Sequence, residues 1–184
     1  MAIVKCFDKE FESFISKETI DTYVEKVARE INETYKNSAQ PPIFIGLLNG
    51  VYMFASDLMK KIDFQCEITF IKVSSYSGFD STGKVKQILG LSCDITGRDV
   101  ILLDEIVDTG NTIKYVVDTL QEMNPRSVKV GTLIYKPNCC KVDTKIDFIG
   151  HSMAENLFIV GYGLDYNERL RNLPDIYILC DKEK

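Results

Sequence analysis

The sequence predicts an α/β protein built on a central parallel sheet with helical crossovers. Short apolar runs alternate along the chain with longer segments of helical periodicity, the pattern of parallel strands joined by helices. One apolar run, at residues 100–103, ends in two adjacent carboxylates. It is followed by a third acid and a small Thr-Gly-Asn-Thr turn, together VILLDEIVDTGNT. A buried strand, an acidic edge and a glycine turn opening a helix make a place to hold a phosphorylated sugar. Ligands in such sheets sit beyond the carboxyl ends of the strands.

The elements follow in order. Ile20, Tyr23, Val24, Val27, Ile31 and Tyr35 recur at three- and four-residue steps and define one face of a long amphipathic helix. Gln40-Pro41-Pro42 stops it. Residues 43–48 form a short apolar strand, Asn49-Gly50 a turn, and residues 51–62 a helix. Residues 67–73 read as a strand. Residues 74–87 are polar, contain Gly78 and Gly83, and read as a long mobile loop of the functional kind. A strand at 100–103, a helix at 113–123 and strands at 128–135, 147–150, 157–160 and 176–179 complete the chain. Asn49-Gly50, the acidic turn and Lys136 all fall at strand ends, so they can converge although distant in sequence.

Bulk properties narrow the function. With 184 residues the chain suffices for one domain with a sizeable core. A net charge of −5 argues against a nucleic-acid partner, since phosphate backbones select basic faces. No segment reaches the roughly 18 apolar residues of a membrane helix, and the N-terminus MAIVKCFDKEF has no signal-peptide pattern. The six cysteines form no CxxC pair, and one histidine is too few for typical zinc spacing. They read as reduced thiols in a cytoplasmic protein. His151 and the Cys139-Cys140 pair read as structural.

The acidic turn has its own chemistry. Amides at a helix start bind phosphate, Thr109, Asn111 and Thr112 add side-chain donors, and Gly110 lets the backbone approach. Asp104 and Glu105 can hold sugar hydroxyls or a hydrated Mg²⁺. A Walker loop and a GxGxxG turn are both absent. Taken alone, the pattern would equally suit a capped surface turn.

LLDEIVDTGNT resembles the phosphoribosyl-pyrophosphate (PRPP) motif of type I phosphoribosyltransferases. With LLNGVYMFASDL, VSSYSGFDSTGKVK, NPRSVKVGTLIYKP and FIVGYGLDYNERLRNLP, the chain from residue 43 to 179 resembles the hypoxanthine-guanine branch of that family. The resemblance implies a type I phosphoribosyltransferase fold. This is a Rossmann-like parallel sheet flanked by helices, with a core at about residues 20–150 and a small hood from about 1–19 and 151–184, within one domain. It implies Mg²⁺-dependent purine salvage: transfer of phosphoribosyl from PRPP to N9 of hypoxanthine or guanine, giving IMP or GMP and pyrophosphate. The alternatives are a non-catalytic PRPP- or nucleotide-binding regulator of the same fold, or a xanthine-preferring enzyme. A homodimer or homotetramer is implied.

The resemblance also implies roles. Asp104 and Glu105 would hold the ribose hydroxyls and, with Asp165, Mg²⁺. Asp108 would be the general base at purine N7, and Asp108, Thr109, Gly110, Asn111 and Thr112 would bind the 5′-phosphate. Lys136 would donate to O6 of the purine, Phe158 would stack on it, and Ile159 and Asp165 would meet its edge. Leu48, Asn49, Gly50 and Arg171 would bind pyrophosphate, with a cis Leu48–Asn49 peptide. Ser75 and Tyr76 would belong to a mobile loop closing over the site. Relatives often carry Glu-Asp where this chain has Asp104-Glu105, and Lys where it has Asn49.

Overall fold

The computed structural model describes residues 2–76 and 85–180. In chain order the elements are β1 (Ile3–Cys6), β2 (Lys9–Ile15), α1 (Lys17–Tyr35), β3 (Ile43–Leu48), α2 (Tyr52–Met59), β4 (Glu67–Tyr76) and β5 (Val85–Leu89). They continue with β6 (Asp99–Val107), α3 (Asn111–Gln121), β7 (Ser127–Tyr135), β8 (Phe148–Ser152), β9 (Ile159–Val160) and β10 (Ile176–Leu179). Six strands form the main sheet in the order β5-β4-β3-β6-β7-β8. All neighbours are parallel except β4 and β5.

Alternation along the central strands sorts the core into two layers. Phe44, Ile101 and Leu103 face α1 and α2, packing on Ile20, Val24, Ile31, Phe54 and Leu58. Ile43, Ile45, Leu47, Ile71, Val100 and Leu102 face α3, packing on Ile113, Val116 and Leu120. The helices thus cover both faces, which is why these strands read as continuous apolar runs. Ser16 caps α1, its hydroxyl accepting from the Thr19 amide at 3.3 Å.

A second sheet, in the order β1-β2-β10-β9, joins residues from both ends of the chain. The periodicity did not reveal its hairpin. β1 and β2 are short, and charged residues alternate with their few buried ones, Cys6, Phe11 and Ile15.

Two other expectations are corrected. Residues 74–87 are not one loop: Ser75 and Tyr76 lie in β4, paired with Lys86 and Val85 of β5. An antiparallel edge hairpin is held by backbone bonds and needs no apolar signature. Residues 77–84, with Gly78 and Gly83, lie outside the described residues. The strand carrying the acids is also longer than 100–103. It runs to Val107, because Ile106 and Val107 continue the ladder against Ile134 and Tyr135 of β7. Asp104 and Glu105 are therefore strand residues, not loop residues.

Candidate active site

The site forms where the carboxyl ends of β3, β6 and β7 meet the segment between β9 and β10. β6 delivers the two acids. Asp104 is 9 % exposed and lines a cavity of about 120 Å³ with Asp108, Thr109, Gly110 and Thr112. Glu105 lies against the β3 turn, where a Cβ at Gly50 would overlap its carboxylate. Burial, and then the charge of Glu105, pushes the Asp104 carboxyl well above its usual range. Burial raises Glu105 as well, opposed in part by Arg171. Glu105 Oε2 is buried with no hydrogen-bond partner. A buried oxygen left so calls for a donor or a cation from a ligand.

The phosphate turn follows directly. Gly110 caps α3 in the left-handed conformation, φ 78°. Side chains of Val142 and Cys140 occupy the space a Cβ would take there, so only glycine fits at this corner of the cavity. The first-turn amides of α3 have no intrahelical acceptors and carry the positive end of its dipole. Thr109, Asn111 and Thr112 are exposed around them.

Lys136 emerges from the end of β7 and is 4 % exposed. Its ammonium donates to Leu157 O at 2.8 Å and lies 3.4 Å from Asp108 Oδ2. That places it between the third acid of the motif and the residue preceding Phe158. The Phe158 ring is 48 % exposed, braced by Phe11 at 6.3 Å and by the edge of Tyr166 at 6.1 Å. Ile159 is buried in β9. An open aromatic face beside a buried ammonium suits a flat heterocycle carrying a carbonyl.

The Leu48–Asn49 peptide is cis, as the resemblance implied. Arg171 stands beside this turn. It binds Asp165 and Glu168 at 2.8 Å each and Gly163 O at 2.9 Å, while its Nε is buried without a partner. Tyr52, at the start of α2, donates to Arg171 O at 2.9 Å. Gly163 has φ 95°, and a Cβ there would overlap Gly50 O. Three distant segments are thereby in contact at Gly50, Glu105 and Gly163.

Among the described residues no group of three acids, histidines or cysteines stands together as a metal-binding cluster. The Asp165 carboxylate binds Arg171 and the Glu168 amide, the latter at 2.8 Å. Asp104 and Glu105 remain as hard oxygen donors, and the unpartnered Glu105 oxygen fits an ion that takes its other ligands from substrate and water. Sequence reasoning missed Tyr52, Gly163 and Glu168. The GYG pattern around Gly163 was a usable signal, but nothing in the sequence marked the other two.

The phosphoribosyl transferase domain family model matches residues 16–167. The hypoxanthine phosphoribosyltransferase of Buchnera aphidicola is 41 % identical over 163 residues, 88 % of this chain and 92 % of that protein. The hypoxanthine-guanine phosphoribosyltransferase of Bacillus subtilis is 40 % identical over 166 residues, 90 % of this chain and 91 % of that one. A crystal structure of a Staphylococcus aureus hypoxanthine phosphoribosyltransferase aligns with TM-score 0.82 at 37 % identity, covering 92 % of this chain and 91 % of that chain. Fold, motif order and near full-length similarity agree: the chain belongs to the phosphoribosyltransferase family, on the branch of the hypoxanthine phosphoribosyltransferases.

Proposed function

We propose that the protein is a purine salvage transferase, moving the 5-phosphoribosyl group of PRPP to N9 of hypoxanthine or guanine and releasing pyrophosphate. The observation that carries this reading is the buried Lys136 ammonium, held between Asp108 and the residue preceding an open Phe158 ring, next to a phosphate turn. A donor-only cation matches the 6-carbonyl of hypoxanthine or guanine and mismatches the amino group of adenine.

Breaking the bond from C1 to pyrophosphate leaves an oxocarbenium-like ribosyl centre. The protein's share is positioning and charge. The α3 turn from Asp108 to Thr112 holds the 5′-phosphate, and Asp104 and Glu105 hold the ribose hydroxyls. Phe158 and Ile159 place the purine, and Asp108 takes the N7 proton as N9 attacks. The amides of the 48–50 turn and Arg171 hold pyrophosphate, with Asp165 fixing the guanidinium. Bound Mg²⁺, facing Asp104 and Glu105, would neutralise charge on the leaving pyrophosphate. The same reading expects a homodimer or homotetramer in the cytoplasm. No helix among the described residues is long and apolar enough to cross a membrane.

The test mixes the protein with PRPP, Mg²⁺ and each purine in turn and follows absorbance. Hypoxanthine and guanine should be converted and adenine left. No turnover with any 6-oxopurine would reject the reading.

A further inference from the structure

Charge is poorly matched at the place assigned to pyrophosphate. Arg171 is already neutralised by Asp165 and Glu168, and Lys136 sits beside Asp108. The 48–50 turn contributes only the uncharged Asn49. A leaving group with several negative charges, set near Glu105, Asp165 and Glu168, favours a protein cation nearby in addition to Mg²⁺.

The sheet supplies one. β3 and β4 are parallel, with Leu48 in register with Lys72, so Lys72 stands level with the start of the turn. Strand alternation fixes its side. Ile71 packs into the α3 layer, whereas the Phe70 ring lies across Gly46 and against the space beside Val51, on the α2 side. Lys72 follows Phe70 by two residues and faces the same way as Leu48, the side that carries α2, Glu105 and Arg171. It is exposed and forms no ion pair among the described residues. Glu168 ties the group together. Arg171 chiefly, and more weakly Lys72 and the Asn49 side chain, draw its carboxyl below the usual range.

Resting on the transferase reading, the geometry points to Lys72 as a pyrophosphate-binding residue, supplying from β4 the positive charge that the 48–50 turn lacks. With PRPP bound, its ammonium pairs with the β-phosphate and then with released pyrophosphate. Arg171, held by two carboxylates, supplies direction through its fork, and Lys72 supplies charge on a flexible stem.

The experiment titrates inorganic pyrophosphate with Mg²⁺ into the intact protein by calorimetry, alongside steady-state kinetics. Lys72→Ala should weaken pyrophosphate binding and raise the KM for PRPP, each about tenfold. The fall in kcat should be less than about twofold and the KM for hypoxanthine should hold, a split that a merely structural role would not produce. Lys72→Arg should keep most of the affinity. Lys72→Ala combined with Asn49→Lys should regain it. Unchanged pyrophosphate affinity and PRPP KM in Lys72→Ala would overturn the assignment, as would a double variant no better than the single one. If the wild type turned over no 6-oxopurine, the transferase reading would fall, while the pyrophosphate titration would still decide for or against Lys72.

Discussion

An ammonium only 4 % exposed must be held by partners, and Lys136 has two, Leu157 O and Asp108. Each partner ties it to a different part of the reaction. Lys136→Ala should raise the KM for hypoxanthine about tenfold or more, the scale of one charge-assisted bond. It should also narrow the preference over adenine, checked by competing the two bases in one assay. Asp108→Asn keeps size and polarity but cannot take a proton. Its kcat should fall by about 10²–10⁴, with the KM for PRPP within a few-fold; equal losses in both would count against the general-base role. Asp104, Glu105 and Asp108 were legible because they cluster within one short motif. Glu168 was not: it reaches the site through its ion pair with Arg171, a contact made only after the chain has folded back.

Elements with strong periodicity or continuous apolar character were readable. α1 and the central strands declare themselves through their buried residues. Segments held by backbone pairing or turn geometry were not, as the β4–β5 hairpin shows. The segment between β9 and β10 is the clearest case. Tyr162, Asn167, Glu168 and Leu170 all take positive φ there, a choice dictated by tertiary contacts rather than by their own preference. The start of β6 carries a stability element of another kind. Asp99, 8 % exposed, accepts from Arg126 Nε at 2.9 Å and from Ser127 Oγ at 2.7 Å, pinning β6 to β7. The Arg126 bond is the main cause holding its carboxyl below the usual value. A lowered folded-state pKa gives stability that is present above the unfolded value, about 4, and lost as pH falls through the folded one. Asp99→Asn should therefore cost about 1–2 kcal/mol at pH 7. The gap to wild type should shrink below pH 4, read from thermal melts at both pH values.

At the scale of the molecule, the larger core layer does not stop at the main sheet. It continues from α1 and α2 into Ile15, Ile159, Tyr162, Leu164 and Ile176, so the two sheets share one interior. The Tyr162 hydroxyl, on a side chain 2 % exposed, donates to Asp57 of α2 at 2.7 Å. Burial first, and then Asp57, raises its phenol pKa. Tyr162→Phe removes the bond and keeps the ring. It should destabilise the protein by about 1–2 kcal/mol, lowering Tm by roughly 2–8 °C for a chain of this size, as scanning calorimetry would show. The predicted parallel sheet with helices on both faces is what the molecule has. The joining of its two ends into a second sheet was beyond periodicity, because that link depends on pairing between strands more than 150 residues apart, such as Tyr177 with Ser13.

That pairing has a consequence for a chain still being made. β10 lies between β2 and β9, so the hairpin at the start has no neighbour until β10 itself has been made. Phe158, Asp165 and Arg171 come only shortly before it. A nascent chain can build the central strands and the phosphate turn early, yet it has no complete place for either purine or pyrophosphate. Ligand capture thus waits on the segment from β9 to β10, and a chain interrupted before that segment lacks its share of the site.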